Sequence, residues 1–98
     1  MENFKDVISG NDLILVDFYA TWCGPCQMMH PVLEQVKAAL GDKIRILKID
    51  VDKLQDLALE YGIRSVPTLM LFRGGETLFR QSGAMSKADL LSLLDPFM

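Results

Sequence analysis

The sequence predicts an α/β fold: a three-layer α/β/α sandwich whose mixed central sheet of about four strands carries helices on both faces. Three observations carry that expectation. LILVDFYA, residues 13–20, is a continuous apolar run of strand length, the pattern of a strand covered on both sides. Strand-like and helix-like segments alternate through the first part of the chain, as parallel strands require. Two late strand segments are joined through Gly74 and Gly75, which suit a tight hairpin and make that pair antiparallel.

The elements follow in order. Asn3 to Ile8 reads as a short opening helix that stops near Gly10, and 13–20 is the strand expected mid-sheet. From Cys23 to Leu40, Met28, Met29, Val32, Leu33, Val36 and Leu40 fall at helical spacing, with Gly41 as the stop. Pro31 interrupts that helix and predicts a kink, because proline deletes a hydrogen bond and crowds the preceding turn. KIRILKIDVD, residues 43–52, is β-branched and predicts a second strand. DKLQDLALEYG predicts a helix with Asp52 as N-cap, Gln55 three residues on and Gly62 at the end. PTLMLF and ETLFRQ, residues 67–72 and 76–81, form the hairpin. Ser86 with Asp89 opens a last amphipathic helix that turns Leu90, Leu91, Leu93 and Leu94 inward.

Ninety-eight residues, half of them hydrophobic, suit one domain over 1–98 and are too few for two cores. The formal charge of −3 and the lack of a Lys/Arg cluster argue against a nucleic-acid partner. The apolar run Leu13–Val16 is far short of the roughly 20 residues of a membrane-spanning helix, so no membrane partner is expected. The opening MENFKDVISGND is mixed in charge and broken by Gly10, unlike a secretory leader, which predicts a cytoplasmic protein. Two cysteines are also too few for a disulfide scaffold, and cytosolic thiols are normally kept reduced.

Those two cysteines lie in TWCGPCQ, residues 21–27, beside the only tryptophan. A disulfide between Cys23 and Cys26 would close too small a loop to stabilise much, since the chain-entropy gain grows with loop length. Redox chemistry explains the spacing better. Cys23 lies where a strand gives way to a helix, so unpaired backbone N–H groups and the positive end of the helix dipole favour its thiolate. Pro25 fits the first turn, where its missing N–H is not needed. Cys23, Cys26 and His30 supply three zinc-capable side chains, but a structural site needs a fourth and Pro25 disfavours the chelate, so no metal is expected. His30, four residues after Cys26, shares its helical face and is placed to assist that thiol's proton transfer, or else to be an ordinary surface histidine.

Asp17 stands inside an apolar strand, where burial raises a carboxyl pKa toward the range useful for a base. It becomes a candidate base for Cys26. Counting by two, Asp17 shares a face with Leu13 and Leu15, and Lys48 with Ile44 and Ile46, so the two are placed to meet across neighbouring strands.

VDFYATWCGPC, KIDVD, YGIRSVPTLMLFRGGE and SGAMSK resemble, in order and spacing, the thioredoxin family over almost the whole chain. The resemblance implies a protein-disulfide reductase in which Cys23 attacks and Cys26 resolves. It implies no bound cofactor: the Cys23–Cys26 disulfide is the redox group, recharged by a thioredoxin reductase using NADPH, with disulfide-containing client proteins as the other partners. Asp17 and Lys48 resemble the family's buried proton-handling pair. Pro67 matches its cis-proline, for which the bare X-Pro base rate would be only about 5%. Trp22, Gly24, Pro25, Val66, Gly83 and Ala84 match its client-docking surface, with Val66 lending backbone hydrogen bonds in the manner of strand addition.

Departures from the family pattern also carry expectations. Family members usually carry a further strand before the first helix, and only two or three residues precede it here, so the sheet is expected to have four strands with 43–50 at an open edge. Lys43, Arg45 and Lys48 blunt that edge, which predicts a monomer with at most weak association through it. Gln27 and Tyr19 replace a common lysine and tryptophan, and both read as tuning changes. Two other readings use the same surface: a disulfide oxidase or isomerase, against which Pro25 argues, and a non-catalytic binding module.

Overall fold

The computed structural model describes residues 3–98. Its sheet has the strand order β2-β1-β3-β4 among those residues, built from β1 (Ile14–Tyr19), β2 (Arg45–Asp50), β3 (Thr68–Arg73) and β4 (Glu76–Ser82). β1 pairs with β2 in parallel and with β3 antiparallel, and β3 pairs with β4 antiparallel. The sheet is therefore mixed, as the early alternation and late hairpin require. The apolar run of β1 has its place in the interior, and Ile14 through Phe18 are all buried.

Alternation along β1 divides the core into two layers. Leu13 and Leu15 pack with Met29, Leu33 and Val36 of α2 (Gly24–Leu40) and with Leu90 and Leu94 of α4 (Lys87–Leu94). Ile14, Val16 and Phe18 face the other way, toward α1 (Phe4–Ile8) and Leu57 of α3 (Gln55–Glu60). Each fully buried Leu, Ile or Phe contributes about 1.5 to 3 kcal/mol by leaving water. α1 has only five residues, too few to hold itself. Phe4 anchors it, with its ring edge-on to those of Tyr61 and Phe72 at 5.3 and 5.8 Å.

The hairpin turn between β3 and β4 places Gly74 and Gly75 at φ +61° and +81°, values that disfavour any side chain, and their N–H groups donate to the carbonyls of Gly10 and Ile8. α2 runs unbroken through Pro31, and a short 3₁₀ turn, Gly41–Lys43, leads into β2.

Two sequence expectations need correction here. Asp52 does not cap α3; Leu54 occupies the N-cap position without a side-chain bond. The chain first makes a turn in which Asp50 Oδ1 accepts from the N–H of Asp52 and of Lys53, and only then enters the helix at Gln55. The Asp50 carboxylate holds the chain in that turn, and the Asp52 carboxylate accepts from the Trp22 indole N–H instead of from the helix. In α4, Leu90 and Leu94 are buried, but Leu91 and Leu93 only half so.

Candidate active site

The start of α2 puts both sulfurs at one corner of the sheet. Cys23 is the N-cap, with extended backbone (φ −90°, ψ 116°), and its Sγ accepts from the Cys26 N–H at 3.2 Å. That is the capping role an oxygen usually plays, and it delivers backbone N–H groups and the helix dipole to the sulfur. The effect favours the thiolate of Cys23. Pro25 stands in the first turn, as expected. Cys23 keeps 6% of its surface exposed and Cys26 none, so only the first has a face toward a visitor.

A second segment meets the sulfurs from the opposite side. Cys23 Sγ lies 3.6 Å from the Val66 carbonyl oxygen, and the Val66–Pro67 peptide is cis. Thr68 fixes this loop: its buried hydroxyl donates to the Ser65 carbonyl at 2.7 Å and lies 3.1 Å from Ser82 Oγ. The Gly83 N–H, at φ +94°, donates to the Pro67 carbonyl at 2.9 Å, and the Met85 N–H lies 3.2 Å from Met29 Sδ on α2. Three separate segments, 22–26, 65–67 and 83–84, are thereby tied together.

Around them lies exposed surface. Trp22 is 73% exposed although its indole Nε1–H donates to Asp52 Oδ2 at 2.9 Å, so the ring is held in place while its face stays open. Gly24, Pro25, Gly83 and Ala84 are exposed and Val66 is half-buried. A groove of about 270 Å³ runs from Trp22 past Val51, Ile63, Arg64 and Ser65 to Val66. Gln27 Nε2 donates to the Thr21 carbonyl, which braces the loop from the helix side.

Beneath the sulfurs, Asp17 is fully buried, and neither carboxylate oxygen has a hydrogen-bond partner among the described residues. Burial pushes its pKa up to about 6, while the Lys48 ammonium pulls it partly back. Lys48 is the register partner of Asp17 on β2, but its side chain is exposed and makes no salt bridge to the carboxylate among the described residues. The two therefore meet across the strands through their electrostatic fields. Asp17 and Cys26 both lie between sheet and α2, since β1 alternation sends Asp17 to the face of Leu13 and Leu15.

Sequence reasoning placed the sulfurs, Asp17, Trp22 and the Val66–Pro67 loop. It missed Asp50 and Thr68, whose only signal was a small polar residue at each strand end nearest the sulfurs. It also missed the service of Asp52 to Trp22, a contact across 30 residues of chain.

A cysteine pair at the start of a helix over a mixed sheet, facing a cis-proline loop, defines a thiol–disulfide oxidoreductase. The family model described as Thioredoxin matches residues 1–96. The chain is 47% identical over 97 residues to a thioredoxin-like protein of Synechocystis sp., covering 98% of this chain and 92% of that one. It is 42% identical over 91 residues to the thioredoxin of Pseudomonas aeruginosa, covering 93% and 84%. It is also 47% identical over 88 residues to the bifunctional thioredoxin reductase/thioredoxin of Mycobacterium leprae, covering 90% of this chain and 19% of that one. The chain belongs to the thioredoxin family.

Proposed function

We propose that the chain is a dithiol reductase of protein disulfides that works in the cytoplasm. The Cys23 thiolate attacks one sulfur of a client disulfide, forming a mixed disulfide and releasing the client's other sulfur as thiolate. Cys26, losing its proton to Asp17, attacks Cys23 Sγ; the Cys23–Cys26 disulfide forms and the second client thiol leaves. Two electrons pass from the protein to the client. Burial brings the Asp17 carboxyl toward neutral pH while Lys48 favours its ionised form, and Pro67 with Val66 and Trp22 seats the client backbone beside Cys23.

The arrangement of Cys23, with a small exposed edge at the helix start, and Cys26 fully buried behind it carries this reading. The return of electrons falls to a thioredoxin reductase drawing on NADPH. The Mycobacterium leprae relative, named for both activities in one chain, supports that partnership. Reduction of insulin disulfides, followed by the turbidity of the freed chains, tests the proposal. Activity is expected from the unsubstituted protein and none above background from Cys23→Ser. Equal rates in both would leave only a binding module, and an ability to form but not reduce disulfides would mark an oxidase.

A further inference from the structure

His30 lies on α2 one turn beyond Cys26, and side chains four apart on a helix are neighbours with Cβ atoms about 5 to 6 Å apart. Its ring packs edge-on against Tyr19, with centroids 5.2 Å apart at 83°. Tyr19 lies two residues from Asp17 on the same face of β1, roughly 7 Å along the strand. Among the described residues, three buried side-chain polar atoms lack a hydrogen-bond partner: both Asp17 carboxylate oxygens and His30 Nδ1. All three belong to the layer between the sheet and α2. His30 itself is half-buried, so one ring nitrogen is enclosed while the ring still reaches the surface.

We propose that His30 is the outlet through which the proton given up by Cys26 passes from the buried layer to solvent. The proposal rests on the reading of Asp17 as the base for Cys26. When the Cys26 S–H bond breaks, Asp17 takes the proton. The three atoms are not hydrogen-bonded to one another, so the protonated carboxyl passes its proton to His30 Nδ1 through a bridging water. The imidazolium then releases a proton from Nε2 to solvent, and Asp17 is again a carboxylate. The cycle oxidises and reduces nothing beyond the two sulfurs already described. His30 reaches no reacting sulfur and is a positioning residue for the proton.

Strand alternation puts Asp17 of β1 and Lys48 and Asp50 of β2 on the α2 side of the sheet, Tyr19 packs on the His30 ring, and Cys26 and Glu34 lie four residues away on its own helix. Of these, the charges of Lys48 and Glu34 bear on its titration. Desolvation first, and then the Lys48 ammonium, lower its pKa below the ordinary histidine value, against a smaller opposing pull from Glu34. The ring is therefore neutral at pH 7, in the state that accepts a proton and passes it on quickly.

The test uses Trp22, the only tryptophan, as a fluorescence reporter of the closure of the Cys23–Cys26 disulfide after a client analogue has loaded Cys23. His30→Gln is expected to leave loading unchanged. It should slow closure roughly tenfold in dilute buffer, below the hundredfold or more of a direct acid–base partner. Added imidazole should restore the rate in this variant while leaving the unsubstituted protein indifferent. His30→Phe keeps an aromatic ring on Tyr19 and should behave as His30→Gln does. Closure at the unsubstituted rate and pH profile in both variants overturns the proposal, and so does slow closure that imidazole fails to speed. Asp17→Asn is the separate control: if it closes at full rate, the reading of Asp17 as base fails whatever His30 shows.

Discussion

Asp17 sits between two demands, since its burial is useful only if the carboxyl stays available to titrate. Its pKa rises from the ordinary aspartate value of 3.8 to about 6, chiefly through desolvation. The folded state therefore binds this proton more tightly than the unfolded chain does. Well below pH 4, at about pH 3 and lower, the carboxyl is protonated in both states and costs the fold little. As pH rises through the unfolded value the unfolded chain ionises first, so stability falls until the folded group ionises too, near pH 6, and is then flat. The two-unit gap corresponds to a penalty of about 3 kcal/mol at most above neutrality. Asp17→Asn is accordingly expected to gain stability over the unsubstituted protein between pH 4 and pH 6, with the gap constant above about pH 7. The gain falls short of the full figure, because a buried amide without a partner keeps part of the cost. Urea unfolding across that range measures it, and a gap that ignored pH would remove the titration argument. Asp17 was legible in the sequence because one carboxylate inside LILVDFYA has nowhere wet to go. Asp50 and Thr68 were not, because nothing local distinguishes an end-of-strand polar residue that braces a turn from one that faces water.

Among the elements, those with strong periodicity came through and those settled by side-chain competition did not. α2 follows from its apolar spacing and its glycine stop, and β1 from its uninterrupted apolar run. The start of α3 depended on Asp50 closing a turn on the N–H groups of Asp52 and Lys53 and on Asp52 turning to Trp22, 30 residues away, and sequence spacing shows neither. α4 shows the opposite outcome. Ser86 was expected to open it, and Ser86 Oγ does accept from the Asp89 N–H at 3.1 Å, with Asp89 favourably near the positive helix end. Only eight residues long, α4 draws its stability from that cap and from the burial of Leu90 and Leu94. Ser86→Ala should destabilise the protein by about 1 kcal/mol, and Ser86→Gly by less. Thermal unfolding gives the comparison; equal melting temperatures for all three would mean that water caps the helix as well as serine does.

At the scale of the molecule, the open edge of the sheet decides how copies of the chain meet. β1 and β3 have neighbours on both sides, so β2 and β4 carry the free backbone groups. Beside β2 lies a groove of about 500 Å³ with Leu33, Ile46 and Leu47 in its walls, a surface that would favour another strand. Charge opposes this. Arg45 and Lys48 are exposed on the edge strand itself, and Lys43 is exposed in the 3₁₀ turn that leads into it. In an antiparallel two-fold pairing that keeps side chains on matching faces, one register sets Lys48 against Lys48 of the other copy. Like charges directly opposite cost roughly 0.2 to 1 kcal/mol each, and a lysine on an edge must also lose water to let a strand approach. The net charge of −3 is too small to keep two copies apart by itself, so the local cations carry the burden. The unsubstituted protein is therefore expected to sediment as a monomer. The double variant Lys43→Thr with Arg45→Thr, which raises β propensity and leaves Lys48 beside Asp17, should show a sedimentation coefficient that climbs with concentration, and high salt should push the unsubstituted protein the same way by screening. A double variant that stays monomeric as concentration rises would show that the shape and twist of β2, rather than its charge, keep the edge closed to a second copy.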